Sequence, residues 1–379
     1  MALRIAFYGP VFDRMGFSTA SRAYVHALHS AGLDITVINL GRKHLNDPLV
    51  ESLLHRNIEP DLHIFSFFPQ NVLPLRLMFP RLIVQTAWET ESIPEDWATI
   101  LADVREVWVP CFHNANVFQK SLRGPVFVWP HPVNPQLEVA APDASRLPKL
   151  KESDFVIYSV FLWMERKNPL GMIAAFVNAF SEHNDVVLIL KVRRMWIDID
   201  QVNEQLQQQY KNAEVLKRIH IIAEEWTEGQ MEALAQRGNC YIGLHRGEGW
   251  GYPIFDAACR GTPVVATGYA GPADYLDPQW HNIVRYVPVP VNQKFHLYNE
   301  TMMWAEPDIE QATALLSDVH SHYLFHRERA RAGAEQLKNR FSIERVGVMA
   351  KERLHAIYET LSDGTNGTAN KLSRRAECT

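Results

Sequence analysis

Short apolar runs alternate along the chain with stretches whose apolar residues recur every three or four positions. Residues 3–8 read as a strand, 19–31 as a helix and 35–40 as a strand. Further strand candidates follow at 62–67, 82–86, 106–109 and 126–128. Apolar strands separated by helical segments are the pattern of a parallel sheet covered by helices. The periodicity breaks over residues 139–150, which hold Pro142 and Pro148 and suit a linker. It then restarts, with strands expected at 155–159, 186–191, 219–222, 240–243 and 263–266. The expected fold is α/β, with two doubly wound, Rossmann-like domains over 1–138 and 151–340 facing a cleft. A helix over 341–360 is expected to cross back to the first domain. Residues 361–379, polar and without periodicity, read as a flexible tail.

Size and composition agree with that division. A chain of 379 residues exceeds what one hydrophobic core usually covers, and 47% hydrophobic with 21% charged residues is ordinary for a globular protein. The net charge of −5 excludes a bulk polyanion-wrapping surface, so nucleic acid is not an expected partner. Cys111, Cys240, Cys259 and Cys378 show no C-x-x-C spacing, which fits a reducing compartment and a cytoplasmic location. No stretch reaches eighteen uncharged apolar residues, which leaves peripheral contact as the expected form of any membrane association.

Ligands in doubly wound folds sit outside the carboxyl ends of the strands, so the chemistry is expected in the loops after residues 8, 86, 159, 191 and 243. The last of these reads Arg246-Gly-Glu248-Gly-Trp250-Gly-Tyr-Pro253-Ile-Phe-Asp256. Gly247, Gly249 and Gly251 leave backbone N–H groups open to a ligand, and Pro253 suits the start of a helix running to Arg260, with Gly261 as its stop. Glu248 in the loop and Asp256 in the first helical turn could accept hydrogen bonds from sugar and ribose hydroxyls around a diphosphate held by the amides. Alternatively, Asp256 complements the helix dipole and the glycines form a tight turn.

His245-Arg-Gly-Glu-Gly-Trp-Gly251, Asp256-Ala-Ala-Cys-Arg-Gly-Thr-Pro-Val264 and Ala266-Thr-Gly-Tyr-Ala-Gly271 resemble the retaining GT-B glycosyltransferases that carry an E-x7-E motif. The likeness is to the bacterial group reading HR-x-EGFG, and it extends across both domains. The resemblance implies transfer of a hexose-like sugar from a nucleoside diphosphate sugar to a hydroxyl acceptor with retention of configuration. It implies no metal and no further cofactor. It brings Glu248 to the donor sugar and Asp256, one methylene shorter than the usual Glu, to the ribose. Lys167 resembles the lysine that neutralises the departing diphosphate. Where relatives carry an arginine six positions earlier this chain has Phe161, so Arg166, Arg246 and Lys191 are the candidates for a second cation. Trp88-Glu89-Thr90 resembles a group with W-E-T where others place a histidine, and implies Glu89 near the reacting sugar or the acceptor, as a base. The resemblance also covers the loop at Gly16, whose amides are expected to touch phosphate from the opposite side. The expected acceptor is a glycan, lipid-linked or other hydroxyl.

Blander readings stand beside these. Ser18 could N-cap the first helix, Glu89 could cap the helix after Pro94, and Arg166-Lys167 could be a solvated pair. Asp198-Ile-Asp200 could bind a metal in another fold, but capping by Asp200 explains it better. His320, His322, His326 and Glu328 read as a solvated helix face and His131 as structural. A GT-B-shaped nucleotide-sugar epimerase and a non-catalytic sugar-nucleotide-binding protein are the alternative functions.

Overall fold

A computed structural model describes residues 2–76, 78–79, 81–193, 198–210, 213–292, 294 and 296–376, with side chains up to residue 361 save that of residue 213. Six strands, β1 (Arg4–Gly9), β2 (Asp34–Asn39), β3 (Leu62–Ser66), β4 (Leu82–Gln85), β5 (Glu106–Val109) and β6 (Val126–Val128), form a parallel sheet in the order β2-β1-β3-β4-β5-β6. Six more, β7 (Phe155–Leu162), β8 (Val186–Arg193), β9 (Ile219–Ile222), β10 (Cys240–Gly243), β11 (Val264–Thr267) and β12 (Asn282–Val284), form a second in the order β12-β11-β10-β7-β8-β9. Both are the doubly wound sheets expected from the alternating pattern. In each the order reverses once, between β1 and β3 and between β7 and β10, and such reversals open a crevice at the carboxyl ends of the strands.

The pattern did not indicate β12 or the antiparallel hairpin of β13 (Tyr286–Pro290) and β14 (Met303–Pro307). Pro288 and Pro290 hide β13, because proline cannot donate to a ladder and argues against a strand. A two-stranded hairpin tolerates them, since each strand has a free edge. Val291, Tyr298, Met302 and Trp304 of this hairpin segment are buried in one cluster with Phe65, Val84, Trp88 and Trp97 of the first sheet's side. The arm therefore leaves the second half of the chain and packs into the first.

Helix Ile343–Ala376 lies against helix Gly16–Ser30. Trp129 Nε1 donates to Val346 O at 3.1 Å, and Lys351 Nζ donates to Ala31 O at 2.9 Å. Gly347 has no side chain because a Cβ there would lie 2.1 Å from Ala27 O. The helix continues to Ala376, where composition suggested a tail, because extending a nucleated helix fixes only one residue per added hydrogen bond. Residues 377–379, with Cys378, lie outside the described residues. The linker is pinned to the second half, with Asp143 N donating to Gly229 O at 2.8 Å.

Three local readings change. Helix Gly16–Ser30 begins at Gly16 after Met15, so Ser18 is its third residue, fully buried, and not the cap. Helix Ile199–Gln209 is capped by Asp198, whose carboxylate accepts from Asp200 N and Gln201 N, and not by Asp200. His326 is buried and bonds Asp318 at 2.8 Å, so the histidine-bearing helix face is solvated only in part. His320 turns to Asp185 at 3.5 Å, which also lies 3.6 Å from His183, at the amino ends of β7 and β8 and away from the crevice. Among the described residues no helix is long and apolar enough to cross a membrane.

Candidate functional site

The loops after β7 and β10 flank the reversal of the second sheet, and they carry the charged residues singled out from the sequence. After β7 a short 3-10 turn, Glu165–Lys167, is closed by Asn168 in the left-handed region at φ 54°. Asn168 then caps helix Pro169–Phe180 by accepting from Gly171 N, and this fixes where Arg166 and Lys167 point. After β10, His245 is buried with its ring between Gly243 O (3.1 Å) and Tyr269 O (3.2 Å), which braces the loop, and Arg246 N donates to Arg166 O at 2.7 Å. Gly251, at φ 84°, then turns the chain into helix Tyr252–Cys259.

These constraints bring four charges together. Lys167 Nζ donates to Glu248 Oε1 in a tight contact, while Arg166 lies 3.4 Å from Glu248 Oε2 and 3.3 Å from Glu89 Oε1. Arg166 also donates to Gly247 O at 2.5 Å. Glu89 Oε2 accepts from Tyr298 of the hairpin arm at 3.0 Å. Burial works against the Glu248 carboxylate, but Lys167 and Arg166 overcome it and hold its pKa down to about 2. Burial pulls the Lys167 ammonium below its ordinary range, in opposition to Glu248. Arg166 is raised: burial opposes it, and Glu89 foremost among its neighbours outweighs the burial. Glu89 is thus an interdomain ion-pair partner and not a cap, since Pro94 precedes helix Glu95–Ile100 without a side-chain cap. Arg166 and Lys167 are likewise mostly buried and paired, not solvated.

Two glycines of the 246–256 loop have a reason that the sequence alone did not suggest. A Cβ on Gly247 would lie 2.5 Å from Glu89 O, and one on Gly249 2.7 Å from the Ala87 Cβ. The glycines admit the W-E-T loop of the opposite domain. Cys111 reinforces that contact, its Sγ donating to Gly249 O at 3.4 Å. Beside Glu248 and Lys167, a cavity of about 20 Å³ is lined by Ser159, Phe161, Tyr241 and Pro253, room for about one water.

The other expected site residues lie around this cluster in different ways. Arg246 is engaged by Glu306 of β14, with Nε 2.5 Å from Oε2, and lies over the Trp304 ring. Lys191 donates to Val192 O at 3.0 Å and sits 5.5 Å above Trp226, directed away from the cluster. Trp250 is turned inward against Phe255, Tyr275 and Phe341. Asp256 is the fifth residue of helix Tyr252–Cys259, so it falls in the second turn and not the first. Its Oδ2 accepts from Asn134 Nδ2 at 3.2 Å, its Oδ1 is buried with no partner among the described residues, and burial pushes its pKa up to about 7. Gly16 opens its helix with no described atom within 4 Å of where a Cβ would stand; two residues on, Ser18 Oγ is buried and, among the described residues, unpaired.

Sequence reasoning missed Tyr298 and Asn134 as contacts of the site. Tyr298 lies more than 200 residues from Glu89 in a segment without a motif, and no local pattern ties Asn134 to Asp256, 122 positions away.

No family model matches the chain, and no curated protein matches it by sequence. Solved structures match it in fold. Sucrose-phosphate synthase from Thermosynechococcus elongatus superposes with a TM-score of 0.67 at 15% identity, covering 94% of this chain and 100% of that one. HepE from Anabaena, solved with UDP and glucose, gives 0.65 at 13% identity over 93% and 100%. The α,α-trehalose 6-phosphate synthase from Burkholderia multivorans gives 0.64 at 10% identity over 97% and 98%. The shared architecture is GT-B, two doubly wound domains facing a cleft.

Proposed function

We propose that the chain is a retaining glycosyltransferase that moves a hexose-like unit from a nucleoside diphosphate sugar to a hydroxyl acceptor. The observation that carries this reading is the buried cluster Glu89, Arg166, Lys167 and Glu248, built from both domains at the sheet reversal of a GT-B fold. The solved structures it resembles include proteins bound to UDP with glucose and to UDP-2-fluoro glucose, which supports a nucleotide-sugar donor.

In this reading Lys167 and Arg166 turn from Glu248 to the diphosphate and neutralise the charge that develops as it leaves, which makes the reaction independent of a metal. Glu248, released, accepts from hydroxyls of the donor sugar, and Asp256 from the ribose. Loop amides at Gly249 and Gly251, with the helix start at Gly16, meet the phosphates. Glu89 takes the acceptor's proton. The acceptor oxygen forms the new bond to the anomeric carbon on the face from which the diphosphate oxygen departs, so configuration is kept. Arg246, Trp250 and Lys191 support the loop and the domain around it. A cavity of 20 Å³ cannot take a ligand needing on the order of 300 Å³ or more, so the two loops must part before the donor enters. The reading locates the reaction in the cytoplasm, with a glycan, a lipid-linked hydroxyl at the membrane surface or another hydroxyl as acceptor.

The test starts with a thermal-shift screen of UDP-, GDP- and TDP-sugars, followed by turnover of the best binder with and without acceptor sugars and with a chelator. Glu248→Gln should lower transfer at least about a hundredfold with the melting transition preserved. Unchanged turnover in Glu248→Gln would refute the site. Conversion of donor without acceptor would favour the epimerase, and binding without turnover the non-catalytic protein.

A further inference from the structure

The hairpin arm of β13 and β14 joins the two walls of the cleft. On one side Glu91 N, in the loop after β4, donates to Met303 O at 3.0 Å; on the other Ala305 N donates to Arg246 O at 2.8 Å. Strand β14 is thus hydrogen-bonded to both the W-E-T loop and the 246–256 loop. The segment before β14 then places Tyr298 with its ring stacked on Trp88, at 5.0 Å between centroids and 24° between planes, and 7% exposed. Trp88 is itself fixed: its Nε1 donates to Thr90 Oγ1 and Ser92 O, and its backbone N–H to Asn114. The Tyr298 hydroxyl therefore has little freedom, and it donates to Glu89 Oε2.

Glu89 otherwise has Arg166 on its other oxygen, and in the proposed reaction Arg166 turns to the diphosphate. A carboxylate that lost that partner and had no other would be free to change rotamer. We propose that Tyr298 is the positioning residue of the acceptor half: its hydroxyl, delivered by the donor domain's arm, keeps the Glu89 carboxylate aimed at the acceptor hydroxyl once Arg166 has left it. Reach from one domain into the other has a consequence. Glu89 is correctly aimed only while the arm is seated, so acceptor activation is coupled to the arrangement of the two domains. Burial keeps the Tyr298 hydroxyl protonated, with a pKa well above its ordinary value, so it remains a donor throughout the working pH range.

This inference rests on the transfer reaction proposed above, and the experiment separates the two. Wild type, Tyr298→Phe, Glu89→Ala and the double variant are assayed with the donor and acceptor found in the screen. Tyr298→Phe keeps the stacked ring and loses only the hydroxyl, so the variant should fold with a melting temperature lowered by several degrees at most and a donor KM that matches wild type, while kcat falls about ten- to hundredfold, the effect of one hydrogen bond to an ionised group. In the Glu89→Ala background the same substitution should cause no further loss, because its effect passes through Glu89. If wild type transfers sugar and Tyr298→Phe retains its kcat, or loses kcat equally with and without Glu89, the positioning role is wrong and the transferase reading stands. If wild type transfers no sugar, the transferase reading falls and the positioning role falls with it.

Discussion

Asp256→Asn probes whether a buried carboxylate is carried at a cost. In the wild type Oδ1 has no partner among the described residues, Oδ2 has Asn134, and the neighbouring cation Arg260 is held by Glu232 at 2.6 and 2.8 Å. Burial is the largest influence and raises the carboxyl from 3.8 to about 7, against the smaller opposing effects of Asn134 and Arg260. Between those values the folded protein holds a proton that the unfolded chain has released. Stability therefore falls as pH rises from about 4 and levels off above about 7. The full shift corresponds to roughly 4 kcal/mol, and since the side chain is only partly shielded from water the expected loss is roughly 2–4 kcal/mol. Asparagine keeps the shape and the oxygen facing Asn134 and cannot ionise. Denaturation with urea at pH 4, 5, 6, 7 and 8 should find the two proteins nearest in stability at pH 4, the variant gaining steadily on the wild type between pH 5 and 7, and the gap levelling off by pH 8. At roughly 2–4 °C per kcal/mol for a unit of this size, calorimetry should see a gap of several degrees at pH 8. A wild type minus variant difference that is constant across this range would show that Asp256 titrates normally and that its burial carries no penalty.

Gly247→Ala should lower the melting temperature and weaken transfer, because its Cβ would meet Glu89 O at 2.5 Å and overpacking of this kind costs roughly 1–3 kcal/mol. Gly16→Ala, where nothing lies within 4 Å, should leave the melting temperature unchanged or slightly raised; equal effects at both sites would refute the interdomain account of the glycine loop. Cys111, Cys240 and Cys259 are free and buried, with thiols raised by burial, so they should resist alkylation in the native protein and react on unfolding, as peptide mapping by mass spectrometry would show. Rapid native labelling of any of the three would contradict their packing.

Local pattern carried much of this protein. The eleven strands read from apolar runs recur in the two parallel sheets with ends displaced by a few residues, because most of them are buried on both faces and such strands are largely apolar. The loops that bear Glu248 and Lys167 were legible too, since they follow β10 and β7 and carry motifs. The prolines of β13 and the three-residue β12 gave no such signal, and the helix beyond Leu361 gave none either, because its polar composition lacks an apolar period.

By itself the sequence determined that two doubly wound sheets would form and which charged residues lie at their strand ends. Tertiary structure decided which of those residues meet. Arg166 faces both carboxylates, Arg246 is taken by Glu306, and Lys191 stays over Trp226. It also decided that Gly247 and Gly249 yield space to the opposite domain, and that an arm from one half places Tyr298 on Glu89 in the other. The physical reason is range. Backbone periodicity and turn chemistry act over a few residues, whereas pairing of buried charges and close approach of loops depend on groups brought together from distant parts of the chain.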